Sequence, residues 1–475
     1  MTQIDLPQEL LDHYQSAGQE HVFQYWAELN DAQKEALLKR ATEIDLAEIN
    51  QLVHLHVTGE SEAHQGFDDL DPAPYISLPD HGGNAAEWGK ATEAGEAALR
   101  DGRVAAFTVA GGQGTRLGYD GPKGTFPVTP VTNKTLFQVF AEKIARSSEK
   151  YGARIPWFLL TSEINDAPTR AAFEENKFFG LNPDDVHFIV QGLVPAVDHE
   201  GKILLSDKGT ITMTPDGHGG SLRALVRSGA TAKMKEMGVD CISYFQVDNP
   251  LIPCVDPAFI GFHVLGDSEL SSKMIPKAYP LEKVGHFCSR NGQFEVIEYS
   301  DLPEDKQQET TPDGELRFNA GSVAIHVFDR AFIERVGGGE AGAELPFHRA
   351  DKKIPYVDKN GEKINPESPN GIKFEMFVFD ALPLAENPVI IEGKRSQNFS
   401  PVKNAEGVDS PQTCKEDQLR MFAGWLNAAG QEIETDETGL PEVTFEISPR
   451  YAADQGDFLS QWVSKIPVTE GLVIE

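Results

Sequence analysis

The chain has 475 residues, 40% of them hydrophobic, which is enough for about three domains or for one large domain with additions. Its formal net charge of −32 argues against a nucleic acid or an anionic membrane as partner, because a polyanion binds to a basic surface. The four cysteines are widely scattered without a C-x-x-C pair, so we expect reduced thiols in a cytosolic compartment.

The N-terminal stretch MTQIDLPQELLDHY is acidic and lacks the basic and apolar segments of a signal peptide. No run approaches the ~18 apolar residues that cross a bilayer. These features predict a soluble, cytoplasmic protein. Residues 1 to about 60 are expected to be helical, with Asp31 and Asp45 as helix caps. A linker rich in Asp, Pro and Gly follows over roughly 59–83, and then an alanine-rich helix over 85–100.

From Val104 onward, runs with the character of strands alternate with helical segments. The predicted strands are 104–109, 155–161, 186–190 and 241–247. The predicted helices are 136–151, 168–179 and 221–237. This alternation implies a mostly parallel sheet covered by helices. Hairpin signals at 198–201 and at Asn291-Gly292 add antiparallel strands to it.

After about residue 405 a helix and short strands indicate a small C-terminal domain. We therefore predict an α/β protein with a Rossmann-like core and a mixed, mostly parallel sheet. Its predicted parts are a helical N-terminal segment (1–100), a central α/β domain (101–405) and a small α+β domain (406–475). Fixed-period repeats are absent from the sequence, which argues against a β-helix domain.

The most informative stretch is VAGGQGTRLGYDGPKG (109–124), which follows the first predicted strand and holds six glycines. Closely spaced glycines let backbone N–H groups approach a phosphate chain, while Arg116 and Lys123 supply positive charge. A P-loop is excluded, because Lys123 is followed by glycine rather than by Ser or Thr. A dinucleotide fingerprint is excluded, because Leu117 stands where the third glycine belongs. The stretch predicts a nucleoside-triphosphate site.

Polar motifs also follow two further predicted strands. Gln191-Gly192 comes after the strand 186–190, and Asp248-Asn249 comes after the strand 241–247. In open α/β sheets, ligands bind beyond the carboxyl ends of the strands. We therefore expect these motifs and the glycine-rich loop to form one site.

These motifs resemble those of the UDP-sugar pyrophosphorylases, most closely the UDP-N-acetylglucosamine (N-acetylhexosamine) pyrophosphorylases. The resemblance covers roughly residues 100–405 in the family's order and spacing. It continues through KTLFQVFAEKI (134–144), QGLVPA (191–196), PDGHGG (215–220), FQVDNPL (245–251), RFNAG (317–321), KKIPYVD (352–358), PNGIKFEMFVFD (369–380) and FSPVKN (399–404). The resemblance implies that 101–405 is a nucleotidyltransferase catalytic domain.

The resemblance also implies roles for residues around the nucleotide. Gln191 and the backbone from Pro215 to Gly217 would contact uracil, and Gly111 and Gly112 would approach the nucleotide through their backbone. His218 departs from the family pattern. The N-acetylhexosamine enzymes usually carry asparagine at this position. With histidine, the position resembles that of the broad-specificity UDP-sugar enzymes.

Asp248 resembles the aspartate that holds Mg²⁺ against the phosphates, a role that suits a cation that keeps most of its waters. Gly285, Glu298 and Asn319 resemble the residues that hold the hexosamine. Phe377 and Phe379 have the period of a strand face, so they either line the sugar pocket or belong to the core.

Cations are needed where the substrate phosphates bind, because the chain as a whole is strongly acidic. By resemblance, Arg116 and Lys123 are catalytic residues on the departing phosphates, Lys373 is a third catalytic residue and Lys403 binds phosphate. Lys394 and Arg395 are further candidates in the same cluster.

The resemblance implies an Mg²⁺-assisted uridylyltransferase that converts UTP and N-acetylglucosamine-1-phosphate to UDP-N-acetylglucosamine and pyrophosphate. Its partners would be small molecules rather than nucleic acid or membrane, and it would be a monomer or weak oligomer. One alternative is a UDP-glucose or broad-specificity enzyme, which His218 favours and the FNAG motif disfavours. A second alternative is a catalytically silent protein that only binds UDP-sugars. The full set of phosphate-binding cations argues against it, because a binding protein does not need them. A third alternative, an NAD-dependent oxidoreductase, is disfavoured because this chain lacks the third glycine of the dinucleotide fingerprint.

Overall fold

The structure is a computed structural model that describes residues 4–59, 66–339, 342–463 and 465–475. The helices in the described residues are α1 (Gln8–Ser16), α2 (Asp31–Glu43), α3 (Leu46–Val53), α4 (Ala85–Arg100), α5 (Leu136–Tyr151), α6 (Asp166–Glu175), α7 (Gly220–Arg227), α8 (Ala230–Glu236), α9 (Pro257–Leu265), α10 (Glu304–Gln307), α11 (Arg330–Gly337), α12 (Arg395–Asn398), α13 (Pro411–Ala428) and α14 (Gln455–Gln461).

The strands in the same residues are β1 (Leu70–Pro72), β2 (Val104–Val109), β3 (Trp157–Thr161), β4 (Val186–Val190), β5 (Leu193–Pro195), β6 (Val197–Asp198), β7 (Leu205–Asp207), β8 (Thr210–Ile211), β9 (Met213–Pro215), β10 (Cys241–Gln246), β11 (Leu270–Pro276), β12 (Gly285–Arg290), β13 (Gln293–Ile297), β14 (Ala320–Asp329), β15 (Phe347–Lys352), β16 (Tyr356–Val357), β17 (Lys363–Ile364), β18 (Gly371–Met376), β19 (Val389–Glu392), β20 (Phe445–Ile447) and β21 (Leu472–Ile474).

The chain divides into two compact units, each made of three separate segments. The smaller unit consists of Met1–Gly66, Gly192–Ser221 and Leu345–Val378. The larger unit consists of Phe67–Gln191, Leu222–Glu344 and Phe379–Glu475. The three predicted segments, 1–100, 101–405 and 406–475, have other boundaries than these two units, and they stay a prediction.

The smaller unit contains the N-terminal helices and a three-stranded sheet in the order β15-β18-β6. Its core joins buried side chains of the helices, such as Leu37 and Ile49, with Ile372 and Phe374 of β18. Hydrogen bonds between residues far apart in the sequence hold this unit together. The Gln19 side chain donates to the backbone oxygen of Gly201 (2.8 Å) and accepts from the N–H of Ile203 (2.9 Å).

The larger unit is built on a ten-stranded mixed sheet that contains the path β1-β12-β14-β10-β2-β3-β4. The strands β10, β2, β3 and β4 are parallel neighbours, and β14 pairs antiparallel with β10. Five of the six residues of β2 are fully buried or nearly so, and β3 is buried along its whole length. Burial on both faces explains why these strands read as continuous apolar runs.

The α/β fold with a Rossmann-like parallel block and added antiparallel strands is confirmed. The ranges of β2, β4, α4 and α5 are those predicted from the sequence. The hairpin predicted at Asn291-Gly292 is also present, with positive φ values of 52° and 82° between β12 and β13.

Several element boundaries differ from the prediction for local reasons. The helix predicted over 221–237 is two helices, because Gly229 adopts a φ of 76° and interrupts the regular backbone. The helix predicted over 168–179 begins at Asp166 and ends at Glu175, and Phe178 and Phe179 both have positive φ. The strand predicted from 155 begins at Trp157, after Pro156, which has no N–H to donate.

The C-terminal part of the chain shares the core of the larger unit. Trp425 of α13 and Phe445 of β20 belong to the same cluster of buried side chains as Phe137 and Trp157. The pair β20 and β21 forms a separate two-stranded parallel sheet. Among the described residues, no helix combines the length and the apolar character that crossing a membrane requires.

Helices α4 and α9 touch through two glycines. A Cβ added to Gly95 would lie 1.8 Å from the backbone oxygen of Pro257, and one added to Gly261 would lie 1.6 Å from that of Ala91. Backbone atoms cannot move aside as a flexible side chain does. The close approach of α4 and α9 therefore requires both glycines.

We expect Gly95→Ala and Gly261→Ala each to lower the free energy of unfolding by about 1–3 kcal/mol or more, because the added methyl forces the helices apart. Gly89→Ala is the matched control in α4. Its Cβ meets nothing within 4 Å, so alanine should raise stability by about 0.5–1 kcal/mol through helix propensity. Urea unfolding of the three variants measures the difference, and equal effects would contradict the contact.

Candidate active site

The glycine-rich loop after β2 is folded onto itself. The N–H of Gly114 donates to the oxygen of Gly121 (2.9 Å), and the N–H of Lys123 donates to the oxygen of Gly112 (3.1 Å). Gly118 adopts a φ of 68° at the turn between these bonds. The loop therefore keeps a fixed backbone path around Arg116 and Lys123, and Arg116 lies exposed on its short helical turn.

The glycines of this loop serve different purposes. A Cβ on Gly112 would meet no atom within 4 Å, whereas one on Gly124 would lie 2.1 Å from the ring of Phe137. A Cβ on Gly111 would lie 3.0 Å from Oε1 of Gln191. Gly124 is therefore required by packing, while Gly112 borders open space and Gly111 lies beside the predicted uracil-binding glutamine.

The structure brings Lys123 and Asp248 together. Their loops leave the carboxyl ends of β2 and β10, where Val109 is paired in register with Gln246. The Lys123 Nζ lies 3.6 Å from Oδ2 of Asp248, and the two side chains are only 15% and 12% exposed. The predicted phosphate-binding cation and the predicted metal ligand thus form a partly buried ion pair.

Lys403 reaches the same region through backbone hydrogen bonding. The N–H of Val402 donates to the backbone oxygen of Asp248 (2.8 Å). The side chain of Lys403 is 36% exposed, with its Nζ 3.8 Å from Oδ2 of Asp409. Arg395 is instead held by an ion pair with Glu282 (2.5 Å) and by the oxygen of Pro276. Its guanidinium is already neutralised within the protein.

Gly285, Glu298 and Asn319 lie at one end of the antiparallel strands. Gly285 begins β12 and Glu298 follows β13 directly, so a Cβ on Gly285 would lie 3.5 Å from Oε1 of Glu298. Asn319 precedes β14, which pairs with β12 in the register Gly285 to Ser322. The three residues predicted to hold the hexosamine are therefore neighbours.

A buried lysine adjoins this group. The backbone N–H of Lys277 lies 3.1 Å from both the backbone oxygen and Oδ1 of Asn319, and its Nζ lies 2.8 Å from Nε2 of His286. Burial lowers the pKa of Lys277 and lowers that of His286 to about 4. The neutral His286 ring accepts from the ammonium group, so this lysine is fixed beside the predicted sugar residues.

In the smaller unit, the loop from Pro215 to Gly217 is held against the end of β18. The N–H of Met376 donates to the oxygen of Asp216, and the N–H of Gly219 donates to the oxygen of Met376 (both 2.8 Å). Gly217 adopts a φ of 83°, and a Cβ there would lie 2.3 Å from the oxygen of Met376. Glycine is required at 217 by both conformation and packing.

His218 is part of an aromatic stack. Phe377 stacks on both His218 (5.5 Å between centroids) and His348 (4.6 Å). The N–H of Val378 donates to Nδ1 of His218 (3.1 Å), so the neutral ring carries its proton on Nε2. Burial, with a smaller contribution from His348, lowers the pKa of His218 to about 4. At neutral pH this residue is an uncharged hydrogen-bond donor.

The remaining predicted residues are placed by β18 and its end. Lys373 lies on β18 between the buried Ile372 and Phe374, so it belongs to the opposite face from the core. The strand ends at Met376, and the predicted strand period over Phe377 and Phe379 is therefore wrong. Phe379 is 6% exposed in a short 3₁₀ segment of the larger unit.

The sequence did not reveal that two buried asparagines hold this region through hydrogen bonds. Asn165 donates to the oxygen of Ala110 (2.9 Å) and accepts from the N–H of Ser162 (2.7 Å), which anchors the start of the glycine-rich loop. Asn249 bonds the segment that leads to Lys403. Asn249 stood inside a recognised motif, but nothing in the sequence marks Asn165.

Comparison with known proteins shows the family of the chain. The family described as UTP–glucose-1-phosphate uridylyltransferase matches residues 85–410. The chain belongs to this family. The predicted resemblance to UDP-sugar pyrophosphorylases is thus confirmed.

Two relatives resemble the chain over nearly its whole length. It is 38% identical to UDP-N-acetylhexosamine pyrophosphorylase-like protein 1 of Xenopus tropicalis, over 90% of this chain and 86% of that protein. It is 33% identical to the UDP-N-acetylglucosamine pyrophosphorylase of Saccharomyces cerevisiae, over 97% of this chain and 98% of that protein.

A solved structure shows the same fold. The UDP-N-acetylglucosamine pyrophosphorylase of Trypanosoma brucei, solved in complex with an inhibitor, superposes with a TM-score of 0.82 at 24% identity. The match covers 100% of this chain and 99% of that one.

We expect Gly112→Ala to raise the Kd for UTP at least about tenfold, because the methyl would occupy the open space that a nucleotide must approach. The folded protein itself has room for that methyl, so the free energy of unfolding should stay within about 0.5 kcal/mol of the original. Calorimetric titration and urea unfolding measure the two quantities.

Gly124→Ala, in the same loop, serves as the contrasting variant. Its methyl collides with Phe137, so stability should fall. Unchanged UTP affinity in a fully folded Gly112→Ala protein would remove this glycine from the nucleotide site.

Proposed function

We propose that this chain catalyses the reaction of UTP with N-acetylglucosamine-1-phosphate to give UDP-N-acetylglucosamine and pyrophosphate. The observation that carries the proposal is the Lys123–Asp248 pair, 3.6 Å apart at the ends of adjacent parallel strands, beside the glycine-rich loop. Membership of the uridylyltransferase family and the names of the full-length relatives support it.

The chemistry is an in-line displacement at phosphorus. An oxygen of the sugar phosphate attacks the α-phosphorus of UTP and forms a new P–O bond, while the bond to the oxygen bridging the α- and β-phosphates breaks. Pyrophosphate leaves opposite the attacking oxygen. Because that oxygen is already anionic, the reaction needs no general base. The protein must align two polyanions and stabilise the charge that develops on the leaving group.

The cations of the chain meet this requirement. Lys123 and Arg116 act on the departing β- and γ-phosphates, with the Lys123 ammonium fixed by its backbone bond to Gly112 and by Asp248. Lys403 binds a substrate phosphate, as does Lys373 as a further catalytic cation.

Asp248 is suited to hold Mg²⁺. The described residues contain no group of three or more His, Cys, Asp or Glu side chains able to hold a metal ion. One partly buried carboxylate fits Mg²⁺, which binds through one or two carboxylates and otherwise through water and substrate phosphate. Bound there, Mg²⁺ would supply Lewis-acid stabilisation of phosphate charge.

The uracil ring is bound through hydrogen bonds to its edge. Gln191 lies beside Gly111 and offers both an amide donor and an acceptor. Gly112 leaves the backbone of the loop accessible to the nucleotide. Pro215 and Gly217 contribute backbone groups.

His218 contributes an uncharged Nε2–H to the nucleotide. Since Nδ1 of the ring is occupied by the Val378 N–H and the ring is neutral, it acts as a donor to an oxygen and not as a base.

The N-acetylhexosamine is held by Gly285, Glu298 and Asn319. The Glu298 carboxylate accepts from sugar hydroxyls, and the Asn319 amide offers its donor, since its Oδ1 is already near the Lys277 N–H. Phe377 and Phe379 are the apolar candidates for the sugar pocket. Phe377 is partly exposed, whereas Phe379 is buried.

A UDP-glucose or broad-specificity activity is the second candidate. His218 in place of asparagine favours it, and the matching family is described by glucose-1-phosphate. The FNAG motif and the relatives named for N-acetylhexosamine favour the first candidate. We further propose that the protein acts in the cytoplasm as a monomer or weak oligomer.

The test of the function is pyrophosphate release from UTP and Mg²⁺ with a panel of sugar-1-phosphates: N-acetylglucosamine, N-acetylgalactosamine, glucose, galactose and glucuronate. We expect a clear preference for the N-acetylated sugars. Comparable kcat/KM with glucose-1-phosphate would establish the second candidate. Binding of UDP-N-acetylglucosamine without release from any sugar would show a protein that only binds UDP-sugars.

Lys123→Ala should lower kcat by about 10²–10³-fold, the scale of losing one transition-state donor. Lys134→Ala is the matched control, because Lys134 forms a similarly buried ion pair with Glu142 (2.6 Å) and is not among the predicted site residues. It should lower stability and leave kcat near that of the unaltered protein. A folded Lys123→Ala enzyme with normal turnover would exclude this lysine from catalysis.

A further inference from the structure

Three hydrogen bonds join the Asp248-Asn249 loop to the segment that precedes Lys403. The Asn249 Nδ2 donates to the backbone oxygen of Asn398 (2.6 Å), and its Oδ1 accepts from the N–H of Ser400 (3.1 Å). The third bond runs from the N–H of Val402 to the oxygen of Asp248 (2.8 Å). Two of the three bonds therefore depend on one side chain.

Asn249 is 5% exposed, so its amide is shielded from water. The backbone groups that it satisfies belong to residues about 150 positions away in the sequence, with separations of 149 and 151. An aspartate would lack the donor, and an aliphatic side chain would leave both partners unsatisfied. Only an amide of this length serves both backbone groups at once.

The loop on the Asp248 side is held by another residue. The buried Nζ of Lys143 donates to the backbone oxygens of Pro250 (2.7 Å), Leu251 (3.2 Å) and Ile252 (2.8 Å). These three carbonyls follow Asn249 directly in the chain. Loss of the Asn249 side chain would therefore leave Asp248 in place and release mainly the segment that ends in Lys403.

The Lys403 side is tied differently. The Asn398 Oδ1 accepts from Lys273 (2.9 Å), which fixes the start of the segment. The Lys403 N–H donates to the oxygen of Asp409 (2.7 Å), which fixes its end. Between these points, the Ser400 hydroxyl donates to Oδ2 of Asp417 (2.7 Å), and the backbone N–H groups of Ser400 and Val402 donate to Asn249 and Asp248. The two backbone bonds link the position of Lys403 to that of the Asp248-Asn249 loop.

We propose that Asn249 is a positioning residue that sets the place of Lys403 relative to Asp248, an inference that rests on the proposed function of both residues. Lys403 and Asp248 must act on the phosphates of one reaction, and a displacement of about 1 Å in a catalytic group costs up to about 10²-fold in rate. Asn249 itself touches no substrate. Its contribution passes through the lysine.

The test is a double-mutant cycle of Asn249→Ala and Lys403→Ala, measured as kcat/KM for pyrophosphate release. We expect Asn249→Ala to lower kcat/KM by about 10–100-fold. In the double variant the loss should be close to that of Lys403→Ala alone, because Asn249 then has no lysine to position. If the loss of kcat/KM in the double variant equals the product of the two single losses, the proposal is overturned.

Gln431→Ala is the matched control. The Gln431 side chain is likewise buried, and it bridges a distant segment through a donor to the oxygen of Ile466 (2.6 Å) and an acceptor for its N–H (3.1 Å). Gln431→Ala should lower stability while leaving kcat/KM near normal. An equal kinetic loss in both variants would reduce Asn249 to a structural residue. If Asn249→Ala does not fold, Asn249→Ser, which keeps a hydroxyl too short to reach both partners, replaces it in the cycle.

Hydrogen exchange separates this inference from the proposed function. The amides of Ser400 and Val402 should exchange faster in Asn249→Ala than in the unaltered protein, and Gln431→Ala should leave them unchanged. Unchanged exchange in Asn249→Ala would overturn the positioning role even in an active enzyme. Absence of pyrophosphate release by the unaltered protein would instead refute the proposed function, with the exchange result still standing.

Discussion

The ion pair between Lys123 and Asp248 is the interaction on which the candidate site depends. Two opposite charges about 4 Å apart attract by about 4 kcal/mol in surroundings of intermediate polarity, before the cost of removing them from water. Both side chains have lost most of their exposure, so each offsets the other's desolvation. The parallel pairing of β2 with β10 brings the two loops to this distance.

The local cations reconcile an acidic protein with anionic substrates. A chain of net charge −32 repels UTP at long range, so attraction must come from groups at short range. Lys123 and Lys403 are each paired with a carboxylate. Arg116 is exposed on the loop. Under the proposed function, these three cations supply the short-range attraction for the substrate phosphates.

Much of the larger unit could be predicted because its signals are local. The run from Val104 to Val109 is apolar on both faces, which is typical of a buried parallel strand, and the residues after it carry the phosphate-binding motif. The predicted strands place Gln191 and Asp248 just after two strand ends. The structure confirms those positions, while their roles stay predictions.

What the sequence could not supply are pairings between distant segments. Asn165 donates to the oxygen of Ala110, 55 positions away, and no sequence pattern near either residue predicts this hydrogen bond. The composition of the smaller unit from three segments could not be predicted either. The apolar pattern of α2 and α3 does not specify which strands pack against it. The break at Gly229 was missed because a glycine inside a helical pattern is often tolerated.

The threading of the smaller unit has a consequence for synthesis. Its first segment ends at Gly66, and its last begins at Leu345 and ends at Val378. On a ribosome that adds ~5–20 residues per second, the N-terminal helices wait about 15–60 s for β18 to emerge. Throughout that interval Leu37 and Ile49 lack the apolar side chains of Ile372 and Phe374 that cover them in the finished fold. The apolar side chains of the N-terminal helices therefore remain without their final partners for most of the synthesis of the chain.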